Sequence, residues 1–303
     1  MQEEIIGKLI TSIREQSKFL EEASKPYRTA EKENTFNKLN AEDWCSSVFG
    51  DSLVKLRLFT ENNFNYIESL GLVSVSRYIF EISIWLNLFV KDTRYGLVYY
   101  DQLIIGQQQY WTRLKDQMER EVIFLKSLGK QESEIMSLKM ADISEFEDED
   151  ESILAAQSIL KDVHSFIDEK ASRKFSIYAE DAKTNGYDFQ AYLIENKQIP
   201  VINSSISDIE SERDEFKNSL SEDVKVLIKK GWKWNIKAEE VGLGDEYSFI
   251  YSFTSKLLHA VPTSITTNQK NLEPQEVIIF LKYIDIKLKD IVRLSFDFNS
   301  KLA

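Results

Sequence analysis

The sequence predicts an all-α fold, a multi-helix bundle, and three observations carry that expectation. The 303 residues include only 10 glycines and 4 prolines. These two residue types punctuate turns and break helices, so their scarcity favours long uninterrupted helices over a chain of many short strands. Hydrophobic residues make up 43% of the chain, with 18 Phe, 13 Tyr and 5 Trp, enough apolar material to bury a large core and to exclude a disordered chain. The apolar positions recur at spacings of three and four, the period of an amphipathic helix.

Each element follows from that period. Over 2–23, Ile5, Ile6, Leu9, Ile10, Ile13 and Leu20 share one helical face. Pro26 follows, and the polar stretch 25–41 reads as a connection. A second helix is expected over 43–70, with Gly71 marking its end. The stretch 74–91 is apolar nearly all round, the mark of a helix at the centre of a bundle. A long helix over 94–128 is closed by Gly129. Seven acidic residues between Asp142 and Glu151 repel one another, so this segment reads as a solvated hinge or helix start. A helix over 151–184 ends at Gly186, and its His164 sits on a charged face. "QIPVINSS" places a loop within 187–205. A helix over 206–230 stops at Gly231. The next runs over 247–262, capped by Asp245 with Pro262 just past its end. After the loop "TSITTNQKN", a final helix runs over 274–299, with Pro274 in the first turn.

For domains, a prior of about one per 150 residues allows one or two. Residues 1–42 are expected to form an N-terminal helix and connection, and 43–303 a single helical bundle with an acidic hinge near 142–151. Thirty-eight basic against 50 acidic residues give a net charge of −12. That charge repels nucleic acid at long range, but it leaves room for a local basic patch because exposed charges are screened beyond about 10 Å. The single cysteine, Cys45, permits no intrachain disulfide or multi-cysteine zinc site, so no metal site is expected. The start "MQEEIIGKLI" lacks the pattern of a signal peptide. The stretch "YIFEISIWLNLFV" is interrupted by Glu81, Ser83 and Asn87, too short and polar for a span of about 20 residues. A cytoplasmic protein without a membrane segment is expected.

Two polar strips stand out on the apolar helices. Arg77 and Glu81 are four residues apart and share a face. An unpaired charge among Tyr78, Phe80, Ile82, Ile84 and Trp85 would cost several kcal/mol, so the two must pair with each other or with other interior polar groups. They are either an ion pair fixing helix register or one wall of a polar pocket. Tyr247, Tyr251, Ser255 and His259 recur every four residues, a row that drifts only slowly around a helix. Phe249, Phe253 and Leu257 on the opposite side are expected in the core. His259 falls in the last turn, where unpaired carbonyls favour a protonated imidazole. If the strips face each other, Arg77, Glu81, Tyr251, Ser255 and His259 form a convergent catalytic site, with Tyr247 and Lys256 beside it for substrate. In "KKGWKWNIK", Lys229, Lys230, Lys233 and Lys237 interleave with Trp232 and Trp234. The lysines would neutralise phosphates while the tryptophans stack on bases, or the tryptophans anchor a turn to the core while the lysines face water. The second reading is preferred, since stacking platforms normally offer more than two aromatics.

"RYIFEISIWLNLFVKDTRYGLVYY" resembles an Arg–x3–Glu helix followed by an Asp/Arg/Tyr segment. "GWKWNIKAEEVGLGDEYSFIYSFTSKLLHA" resembles a Trp-containing turn followed by a Tyr–x3–Tyr–x3–Ser–x3–His helix. Together they resemble the bacterial domain-of-unknown-function family 5677 over roughly 43–128 and 220–265. The resemblance implies a HEPN-like core assembled from two separated helical segments, the scaffold of many toxin and phage-defence ribonucleases. It implies a site acting on RNA or a nucleotide, and homodimers are common in such bundles. The usual Arg–x4–6–His motif of HEPN ribonucleases is absent: no arginine precedes His259 or His164 at that spacing, and a guanidinium would have to come from Arg77 on another helix. The sequence therefore leaves three functions open. One is a ribonuclease or phosphate-transfer enzyme. The second is a non-catalytic sensor whose cluster is structural or holds a small anion. The third is an adaptor docking a protein partner through 142–151. No cofactor is indicated.

Overall fold

The structure, a computed structural model, describes residues 2–33, 35–62, 68–141, 148–258 and 272–302, and these contain helices and no strand. The all-α class is therefore as expected. The chain divides into two compact units, the first of Met1–Gln102 with Phe216–Ala303, the second of Leu103–Glu215. This differs from a single bundle over 43–303. Each unit has its own apolar core, and both boundaries fall inside helices, where composition gives no linker signal.

In the first unit, α1 (Gln2–Glu33) packs between α2 (Ala41–Asn62) and the C-terminal helix α13 (Pro274–Leu302), and α13 also packs on α3 (Ser69–Lys91). Helix α1 runs straight through the expected connection at 25–33, with Pro26 inside it. A helical proline removes one backbone hydrogen bond; here the burial of Ala23, Ser24 and Tyr27 on either side keeps the helix going. The Tyr27 hydroxyl donates to the Ser295 carbonyl at 2.6 Å, and its ring begins a stack through Phe49 to Phe298. Asn40 caps α2, its side-chain oxygen accepting from the Glu42 N–H at 3.0 Å. Helix α2 stops at Asn62, and Gly71 lies in the first turn of α3 rather than at a helix end.

Helix α3 has 23 residues, ten positions longer than its most apolar stretch, and by length and composition alone it is apolar enough to cross a membrane, contrary to expectation. Half of its most apolar window is buried inside the protein, which is the setting of a core helix.

Helix α4 (Tyr95–Ala141) has 47 residues and continues well past Gly129. Gly129 is a packing glycine: a Cβ there would lie 2.5 Å from Asp188 Oδ1. The second unit continues with α5 (Glu149–Ser172), α6 (Ala179–Asn185), α7 (Tyr187–Leu193), a π-helical turn (Ile194–Gln198) and α8 (Ile199–Ser219). Asp148 caps α5 by accepting from the Asp150 N–H at 2.9 Å, while 142–147 lie outside the described residues. The helix expected over 151–184 breaks after Ser172, and Gly186, with φ 87°, ends α6 as expected. The loop expected at 187–205 is helical: α7, the π-helical turn and α8 follow one another without a break, and Pro200 stands just after the widened turn. His164 is half-exposed, its Nδ1 2.7 Å from Glu132 Oε1.

Back in the first unit follow α9 (Glu222–Lys229), closed by Gly231 at φ 68°, α10 (Trp234–Glu240) and α11 (Gly244–Glu246). A second π-helical turn (Tyr247–Tyr251) then leads into α12 (Ser252–Leu258). His259, Pro262 and the stretch "TSITTNQKN" lie outside the described residues.

Candidate functional site

The π-helical turn changes which face of the 247–258 segment meets the core. With 3.6 residues per turn, Phe249, Phe253 and Leu257 would point inward. A wide turn carries one extra residue and rotates the register. Ile250 and Thr254 are the buried positions, Phe249 is 51% exposed, and Phe253 packs on the Phe280 ring at 5.6 Å. The Thr254 hydroxyl is satisfied locally by the Ile250 carbonyl at 2.7 Å. Tyr247 and Tyr251 consequently lie flat along α3, their rings stacked at 4.7 Å and each 6.2 Å from Phe80.

This arrangement joins the two predicted strips. Arg77 Nε donates to Glu81 Oε1 at 3.0 Å, the ion pair expected from the four-residue spacing. Arg77 Nη2 donates to the Tyr251 hydroxyl at 3.0 Å, and the guanidinium carbon lies 4.5 Å from the centre of that ring. One tyrosine thus holds the cation by both hydroxyl and π-face. The pair is not sealed: 24% of the Arg77 side chain and 27% of the Glu81 side chain reach solvent. A guanidinium carries five N–H donors in a fixed fork; one at Nε and one at Nη2 are engaged in these two bonds. Ser255 is half-buried and Lys256 exposed on the following turns, without a contact to Arg77 or Glu81.

The "KKGWKWNIK" segment follows its anchoring reading. Trp232 stacks on Trp85 of α3 at 3.7 Å and 12°, and Trp234 meets the Trp232 edge at 5.1 Å. The alternative base-stacking reading of Trp232 loses one face of the ring, which Trp85 covers. Lys229, Lys230 and Lys233 are exposed. Trp85 follows Arg77 by eight positions, so the lysine-bearing turn meets α3 roughly 12 Å along its axis from Arg77, at 1.5 Å per residue.

Sequence reasoning missed two further clusters. Lys237, expected to meet phosphate or water, is instead only 3% exposed; it donates to the Tyr95 hydroxyl at 2.8 Å and to Glu240 Oε2 at 3.0 Å, and Tyr95 donates to Glu240 Oε1 at 2.6 Å. This closed triangle ties α10 to the start of α4. Burial alone would raise the Glu240 carboxyl, but the bonds from Tyr95 and Lys237 and the charges of Lys237 and Lys91 hold it below the usual range. Burial first, then Glu240, pushes the Tyr95 hydroxyl above the ordinary tyrosine range. On the other side of the π-helical turn, Glu246 accepts from Lys287 at 2.6 Å and from Tyr283 at 3.2 Å. The only available signal was Lys237 three positions before Glu240 on one helix; the partners on α4 and α13 have no local signature.

Among the described residues no group of three or more His, Cys, Asp or Glu side chains is placed to hold a metal ion. A cavity of about 200 Å³ lies away from the Arg77 cluster, between α1 and α2, lined by residues including Tyr27, Phe36, Asp43, Ser47 and Asp51. Compared with protein-family models, curated proteins and solved structures, the chain gives no match.

Proposed function

We propose that this chain recognises a phosphate group, carried by a nucleotide or an RNA, at the Arg77–Glu81–Tyr251 cluster, in a HEPN-like setting of the bacterial toxin or phage-defence kind. The observation supporting this reading is an arginine fixed in orientation by a carboxylate on one side and a tyrosine on the other, with 24% of its side chain open to solvent. Guanidinium forks match phosphate oxygens with two parallel donors, and a fork already oriented loses less freedom on binding. Lys229, Lys230 and Lys233 supply a basic surface on the same unit, offsetting locally the net negative charge. In the catalytic form of the proposal, Arg77 holds the phosphate and His259 transfers the proton, with Glu81 and Tyr251 keeping the guanidinium in place. A binding protein without turnover is the second reading, favoured by the engagement of Arg77 with partners of its own.

The test uses the full chain with a labelled single-stranded RNA oligomer and with ATP. Arg77→Gln is expected to weaken binding about tenfold or more, the loss of a charge-assisted pair of bonds. His259→Ala is expected to lower any cleavage roughly 100-fold or more while binding persists. Saturable binding without cleavage by the wild type selects the sensor. Undiminished binding of both ligands by Arg77→Gln rejects the proposal.

A further inference from the structure

The second unit holds an open pocket of about 330 Å³ where α4 and α8 meet, lined by Ile105, Gln108, Gln109, Thr112, Arg113 and Arg213. We propose that this pocket is a separate binding site for a small phosphate-type oxyanion. Its lining pairs two guanidinium groups with two amides and a hydroxyl, and it contains no carboxylate. The guanidinium and amide groups are hydrogen-bond donors that an oxyanion accepts from, while the Thr112 hydroxyl is spent on the Gln108 carbonyl at 2.8 Å.

The way Arg213 is held supports the assignment. Its Nη1 donates at 2.8 Å to Gln108 Oε1, and the Gln108 amide nitrogen reaches Glu210 Oε1 at 3.3 Å. A neutral amide therefore sets the plane of the guanidinium, and the carboxylate stands one residue further off. Oriented by an amide, Arg213 keeps its charge for the pocket. Arg213 Nε is buried with no hydrogen-bond partner among the described residues. Arg113 is exposed on the facing turn of α4 and forms no ion pair among the described residues. Arg120, further along α4, is instead engaged by Gln117 at 2.8 Å. Two cations sharing a hollow without an anion repel each other, and an oxyanion bridging their forks removes that repulsion.

The inference does not depend on the Arg77 cluster, which belongs to the first unit. Calorimetric titration of the full chain with inorganic pyrophosphate at low ionic strength tests it, with inorganic phosphate and citrate in parallel. Expected are a saturable pyrophosphate site that persists in Arg77→Gln, weaker binding of phosphate, and little affinity for citrate. In the Arg77→Gln background, which removes the first unit's phosphate site, Arg213→Gln and Arg113→Gln should each weaken pyrophosphate binding about tenfold or more, whereas Arg120→Gln leaves it unchanged. Arg113→Gln carries the test if Arg213→Gln does not fold, since Arg113 is exposed. No saturable heat from the Arg77→Gln chain overturns the proposal, as does an equal loss when Arg120→Gln is added, which would mean general charge attraction. Citrate binding as tightly as pyrophosphate overturns the ligand class.

Discussion

Replacing Glu81 with alanine tests how far the Arg77 cluster is open to water. Were Arg77 sealed in the core, losing its carboxylate would strand a buried charge and cost about 3–5 kcal/mol. Were the pair fully exposed, the loss would be about 0.2–1 kcal/mol. The structure sets the case between these limits: a 3.0 Å contact with side chains 24% and 27% exposed, and a second partner, Tyr251, retained by Arg77. The expected loss for Glu81→Ala is therefore about 1–2 kcal/mol, a fall in Tm of roughly 2–8 °C for a unit of this size. Two units need not unfold together, so the probe must be local. Trp44, Trp85, Trp232 and Trp234 all belong to the first unit and Trp111 to the second, which makes tryptophan fluorescence in urea chiefly a reporter of the first. Arg77→Met and the double variant complete a cycle that isolates the pair. A loss above about 3 kcal/mol would show the guanidinium to be sealed and remove the basis for a ligand there. A cycle with no coupling would show that the ion pair does not orient Arg77.

The Lys237 triangle should respond asymmetrically. Glu240→Ala leaves a buried ammonium with only the Tyr95 oxygen and is expected to cost about 3–5 kcal/mol, whereas Lys237→Met, which removes the charge and keeps much of the volume, should cost under about 1.5 kcal/mol in urea unfolding; equal losses would contradict the burial of Lys237. Tyr27, Tyr95, Tyr99, Tyr187 and Tyr283 are all pushed above the ordinary tyrosine range, burial being the first cause in each. A raised folded value means that stability is intact below an unfolded pKa of about 10 and is lost as pH rises past it. The urea midpoint should therefore fall between neutral pH and pH about 10.5, with tyrosinate absorbance appearing on unfolding; a flat midpoint would count against this. Gly96→Ala would place a Cβ 2.1 Å from the Ala41 carbonyl oxygen; forcing α2 and α4 apart should cost about 1–3 kcal/mol by thermal melting, and an unchanged melt would argue against this close approach.

Much of the helical architecture was legible because helix period and the scarcity of breakers are local properties. The Arg77–Glu81 pair was legible for the same reason, since four positions on one helix suffice to bring the side chains together. Boundaries were less so. Gly129 looks like a terminator in sequence, yet its role is set by Asp188, and Pro200 looks like a loop residue until it is seen just after a widened helical turn. Within the candidate site, the reach of Arg77 to Tyr251 followed from opposed polar strips. The inward turn of Ile250 and Thr254 in place of Phe249 did not, because a widened turn obeys no period that sequence patterning reports. Lys237, Tyr95 and Glu240 lay beyond sequence reasoning, as their contact spans 142 positions and is a product of packing.

The widened turn at Tyr247–Tyr251 makes the number of residues in this stretch as consequential as their identity. Removing a single residue would tighten the coil and swing everything before it by about 100° relative to α12. Glu246 would turn away from Lys287 while Tyr251 stayed with Arg77. Side chains here can be exchanged one at a time, but a deletion of one codon would pull apart two sets of partners at once, so length is the property on which this part of the molecule tolerates least change.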